Sequence, residues 1–69
     1  MGDVRKEFGK KLRKLREERE LTQEDLAEEA GMHFTYIGQI ERGLRNPSLV
    51  NLHKIAKALK VKSSEILPF

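Results

Sequence analysis

Turn and capping residues at short intervals constrain this chain more than any other feature: Thr22, Gly31, Gly43 and the pair Pro47-Ser48 divide 69 residues into segments with room only for short helices. Ahead of the first break, Val4, Phe8, Leu12 and Leu15 recur at spacings of four, four and three. That draws one apolar stripe on a helix over about residues 3–20 whose other faces are charged. Thr22 followed by Gln23, Glu24 and Asp25 has the form of a capping box, opening a second helix over about 23–30. Gly31 ends it, because glycine takes positive φ without a Cβ clash. A third helix is predicted over 34–41 and closes at Gly43. Leu44 to Pro47 reads as loop, since Pro47 biases Asn46 away from helical dihedrals. Ser48 then caps a fourth helix to about residue 59, where Leu49, Leu52, Ile55, Ala56 and Leu59 make a wide apolar face. Ser63 or Ser64 can cap a last short helix through Ile66 and Leu67. No segment alternates with the two-residue period of a half-buried strand, so the prediction is an all-α fold of five helices in a single domain over 1–69.

Composition narrows the function classes. A chain this short buries only about 60% of the surface its unfolded form exposes, which leaves little volume for an enzyme pocket. With 38% hydrophobic and 36% charged residues it can fold, but no cysteine is present to staple it or to bind metal as thiolate. Apolar runs of two or three residues are too short for a membrane span or a signal peptide, so a cytoplasmic chain without membrane association is expected. The net charge of +3 is unevenly spread: residues 1–20 carry +3, residues 21–41 carry −5 and residues 42–69 carry +5. Basic ends point weakly toward a polyanion. His33 and His53 are far apart with no ligand spacing between them, so no metal site is expected and each histidine is solvated or capping. The stretch Gly38 to Gly43 is followed by Leu44 where a phosphate-binding loop needs lysine. No nucleophile with a base is evident. The chain is expected to be a non-enzyme with no cofactor and no small-molecule substrate.

Two helices of about eight residues joined by about three residues around Gly31 have the dimensions of a helix-turn-helix, whose second helix lies in the DNA major groove. Ala27 is small where the helices approach, and Leu26, Ala30, Met32, Ile37 and Ile40 are apolar where the motif faces its core. Here the sequence resembles the phage repressor and Cro type of helix-turn-helix, the XRE family. The likeness runs from Leu12-Arg13-Lys14-Leu15-Arg16 through Leu21 to Ala27 and Ile40-Glu41-Arg42-Gly43, then on to Asn46-Pro47-Ser48-Leu49 and Ala56 to Leu59. It implies a lambda-repressor-like fold that binds double-stranded DNA. More narrowly, Thr35-Tyr36-Ile37 with Glu41-Arg42-Gly43 and Arg45-Asn46 is similar to the controller proteins of bacterial restriction-modification systems, which are dimeric regulators. The chain departs from the family at Glu20, where glycine is common, and at Phe34, where controller proteins often carry a polar or basic residue.

On a helical wheel Ile37 and Ile40 face inward, leaving Phe34, Thr35, Gly38 and Gln39 for the groove. Gln39 can pair with adenine in bidentate fashion, while Phe34 and the Thr35 methyl can pack on a thymine methyl. Gly38 would let the helix sit close. Alternatively, Phe34 is an exposed hydrophobe under a neighbouring loop. Tyr36 lies at the boundary, as core or with its hydroxyl reaching a phosphate. Gln23 matches the family's phosphate-clamping glutamine. Arg42, Arg45 and Asn46 flank the end of the third helix as phosphate contacts, with Arg45 favoured as a reader of guanine. The resemblance implies that Arg16 and Glu41 form a structural ion pair rather than contact DNA. Surplus hydrophobes after residue 48, namely Ile66, Leu67 and Phe69 with Leu49, Val50 and Leu52, suggest a homodimer interface. The expected function is a sequence-specific transcriptional regulator acting as a homodimer on a palindromic operator. An antitoxin or a coactivator-type interaction module on the same fold is the alternative.

Overall fold

Five α-helices and no strand follow one another in the computed structural model, which describes residues 3–69: α1 (Val4–Glu18), α2 (Gln23–Ala30), α3 (Phe34–Glu41), α4 (Leu49–Leu59) and α5 (Ser63–Ile66). Residues 1 and 2 of the expected 1–69 domain lie outside the described residues. Each long helix opens on a side chain that accepts from an otherwise orphaned amide. Asp3 caps α1 through Arg5 N–H at 2.9 Å, and Ser48 caps α4 through Asn51 N–H at 3.1 Å. Thr22 and Asp25 form a reciprocal box with both bonds at 3.0 Å. Glycine-free α2 is thus pinned at its start, as the sequence predicts. Helix α5 differs from expectation. Lys62 precedes it and Ser63 is already helical, so neither serine caps it; the Glu65 carboxylate accepts from the Lys62 amide at 2.7 Å instead.

The four longer helices end alike. In each, a residue just past the helix takes a left-handed conformation, and the amide that follows it folds back onto the last turn. The left-handed residues are Glu20 (φ 55°), Gly31 (φ 69°), Gly43 (φ 76°) and Lys60 (φ 59°). The returning bonds are Leu21 N–H to Arg16 O, Met32 N–H to Ala27 O, Leu44 N–H to Gln39 O and Val61 N–H to Ala56 O, at 2.8–3.1 Å. This is why α1 stops at Glu18, short of the predicted residue 20. Its end is turned so that Leu21 reaches the core.

That core joins Phe8 and Leu12 of α1, Leu26 and Ala27 of α2, Ile37 and Ile40 of α3, Ile55, Ala56 and Leu59 of α4, and Ile66 of α5. Val4 and Ile66 both differ from the sequence expectation. Val4, assigned to the buried stripe, is 54% exposed because it sits in the first turn of α1, outside this cluster. Ile66, assigned to a dimer interface, is 0% exposed: α5 packs on α1 and α4 and drives this side chain into the core of its own chain. Helices α1 and α3 meet closely at Gly9, where a Cβ would lie 2.5 Å from the backbone oxygens of Ile40 and Glu41. Only glycine lets α1 lie against the end of α3.

Candidate nucleic-acid interface

The geometry begins at Gly31. Its left-handed backbone turns the chain within three residues from α2 into α3, and the Met32 amide bonds back to Ala27 O at 2.8 Å. Helix α3 then buries Ile37 and Ile40 completely and leaves Phe34 and Thr35 exposed, with Gly38 and Gln39 half-buried. Its start is capped by His33, whose Nδ1 accepts from Thr35 N–H at 3.2 Å. Of the two roles left to this histidine, capping is the one it takes. The imidazole also stacks on Phe34, with ring centroids 4.9 Å apart and planes 23° from parallel, and so braces that exposed ring. The sequence carried no usual capping residue at this position, which is why composition alone could not choose between the roles.

The far end of α3 is held by a polar cluster. Arg16 of α1 donates to Glu41 twice, Nε to Oε2 at 2.6 Å and Nη2 to Oε1 at 3.1 Å, and its remaining Nη1 donates to Leu21 O at 2.6 Å. The Arg16 and Glu41 side chains are only 10% and 3% exposed. Hydrogen bonding to Glu41 raises the Arg16 pKa above its already high ordinary value. Gln23 joins the cluster, its Nε2 donating to Glu41 Oε1 at 3.1 Å. The same side chain explains Gly38: a Cβ there would stand 3.2 Å from Gln23 Oε1. The glycine thus makes room for Gln23 within the motif, a role the wheel did not anticipate when it assigned Gly38 to close approach of the helix to DNA.

Beyond α3, Arg42, Arg45 and Asn46 are all exposed. The Arg45 guanidinium lies over the Tyr36 ring, 5.4 Å from its centroid. The Tyr36 hydroxyl in turn accepts from Asn51 Nδ2 of α4 at 3.1 Å. Tyr36, expected at the boundary, is half-buried. Asn51 was not singled out by sequence, since nothing local distinguishes it from a solvated residue in the first turn of α4. Away from this face, Leu49, Val50 and Phe69 are 82%, 62% and 86% exposed, while Leu52 and Leu67 are half-buried. Phe69, Pro68, Leu67 and Leu52 line a groove with Val4 and Phe8 of α1. No described helix is long and apolar enough to cross a membrane.

Comparison with known proteins agrees with this arrangement. Residues 12–66 match the family described as helix-turn-helix. The control protein C.BamHI of Bacillus amyloliquefaciens is 47% identical over 68 residues, covering 97% of this chain and 84% of that protein. The crystal structure of the restriction-modification controller protein C.AhdI from Aeromonas hydrophila superposes with a TM-score of 0.89 at 45% identity, covering 90% of this chain and 94% of that one. The biofilm master regulator SinR, solved in complex with DNA, superposes with a TM-score of 0.81 at 33% identity over 86% of this chain and 95% of its own. The turn at Gly31, the buried faces of α2 and α3 and these likenesses together establish that the chain belongs to the XRE-type helix-turn-helix family of DNA-binding transcription regulators.

Proposed function

We propose that the chain is a sequence-specific regulator that binds double-stranded DNA as a homodimer on a palindromic operator, with α3 in the major groove. The observation that carries this reading is the outward face of α3: Phe34, Thr35, Gly38 and Gln39 carry no charge, Phe34 and Thr35 are exposed, and the exposed Arg42 and Arg45 follow directly. Uncharged side chains suit base edges and methyl groups, while flanking cations suit the phosphates on either side. Gln39 reads adenine, Phe34 and Thr35 pack on thymine methyl groups, and Arg45 reads guanine. Gln23, Tyr36, Arg42 and Asn46 contact the backbone.

Dimerisation is supported by the exposed apolar set Leu49, Val50 and Phe69, with Leu52 and Leu67 beside it. Hydrophobes this exposed gain by meeting a copy of themselves across a two-fold axis. The testing experiment is selection of bound duplexes from a random library. It should recover a palindrome with half-sites about 34 Å apart, one helical turn. On that operator Gln39→Ala should relax preference at one base pair per half-site, and Gln23→Ala should weaken all duplexes alike. Recovery of no preferred sequence, or a reversal of those two mutant phenotypes, would refute the assignment of α3 as the reading element.

A further inference from the structure

Tyr36, Arg45 and Asn51 come from three different parts of the chain, and their contacts form one connected unit. Asn51 Nδ2 donates to the Tyr36 hydroxyl at 3.1 Å, and the Tyr36 ring supports the Arg45 guanidinium at 5.4 Å. Asn51 is itself fixed, since it stands in the first turn of α4 with its backbone amide bound to Ser48 Oγ at 3.1 Å. From these contacts we infer that Asn51 is a positioning residue for DNA recognition, acting through Tyr36 on Arg45. The inference rests on the reading of α3 and the following loop as the DNA-contacting surface.

Two physical effects follow from the same hydrogen bond. A phenol has one proton to give and oxygen lone pairs to accept with. Because Asn51 fills an acceptor site, the Tyr36 proton remains free for an acceptor on the DNA. The bond also holds the ring against rotation, and a fixed ring is a fixed platform for the cation above it. An arginine on an exposed loop otherwise samples many rotamers, all but one of which are lost when it binds. Stacking on Tyr36 restricts those rotamers before DNA arrives, while the edge of the guanidinium keeps its donors for a guanine or a phosphate. The tether on α4 therefore contributes to recognition without touching DNA.

The test is a set of double-mutant cycles in the full chain, measured as affinity for the selected operator. Asn51→Ala and Tyr36→Phe should each weaken binding about five- to tenfold, the scale of one hydrogen bond. The double variant should be no weaker than Tyr36→Phe alone, because Asn51 acts through the hydroxyl that this variant already lacks. In an Arg45→Ala background, Asn51→Ala should cost no more than about twofold, since the group it positions is gone. Asn51→Ser keeps a polar side chain but cannot reach Tyr36, and should repeat the loss. Melting temperatures should stay near wild type, which separates positioning from folding. Additive losses, or an undiminished Asn51→Ala effect without Arg45, would overturn the inference while leaving the DNA reading intact. A wild-type chain that prefers no duplex would instead overturn the DNA reading, and this inference with it.

Discussion

Arg16 has every guanidinium nitrogen engaged, and that single side chain ties α1 to the end of α3 and to the turn after α1. Glu41→Ala leaves a buried cation without its partner, which should destabilise the fold by about 3–5 kcal/mol. Thr35→Ala, on an exposed site, should leave the unfolding midpoint nearly unchanged while weakening specific DNA binding. Chemical denaturation of both variants checks the contrast, and equal midpoints for Glu41→Ala and wild type would rule the pair out as a structural clamp. A different strain sits at Glu20, held at φ 55° where an L side chain crowds its own backbone. Glu20→Gly relieves that crowding at some cost in unfolded-chain entropy, and a net gain of about 0.5–1 kcal/mol is expected in the same assay. The sequence marked this position as a departure from the family. It could not show that the left-handed turn survives without glycine, because what enforces it is the pull of Leu21 into the core and the Arg16 bond to Leu21 O.

At the scale of elements, α2 and α3 form the motif, α1 and α4 pack against it, and α5 packs on α1 and α4. Helix α1 lies close against the end of α3 because residue 9 is glycine, a residue that lowers the propensity of its own helix by about 1 kcal/mol relative to alanine. That local cost is offset by the contact it permits with the backbone of Ile40 and Glu41. Helix α5 is four residues long and could not persist alone, so its packing depends on Ile66, fully buried, and on the Lys11 ammonium donating to Leu67 O at 3.0 Å. Ile66→Ala should therefore cost about 2–5 kcal/mol of folding stability at any protein concentration. Phe69→Ala, which removes an exposed ring, should leave stability near wild type in dilute solution and weaken self-association. Sedimentation with thermal melting distinguishes the two. If Phe69→Ala left self-association intact, the C-terminal face would not be the dimer contact.

For the whole molecule, the unequal spread of charge governs how it meets DNA. Positive potential from both ends of the chain should make binding strongly salt-dependent, because each neutralised phosphate releases counterions. With about four phosphates contacted per protomer, log affinity should fall against log salt with a slope of about −7 for a dimer, and a slope near zero would contradict DNA binding of this kind. The sequence by itself determined the five helices, the turn at Gly31 and the inward faces of α2 and α3. Those depend on local chemistry: a hydroxyl at a helix start, a glycine at positive φ, apolar residues at helical spacing. Tertiary structure alone decided that Ile66 is core and Val4 is not, since burial depends on what a distant helix brings to cover a side chain. It alone decided that the room at Gly38 is taken by Gln23, and that Asn51 reaches Tyr36 across two helices. Such contacts join residues distant in sequence whose identities carry no local signature, so they exist only once the helices are packed.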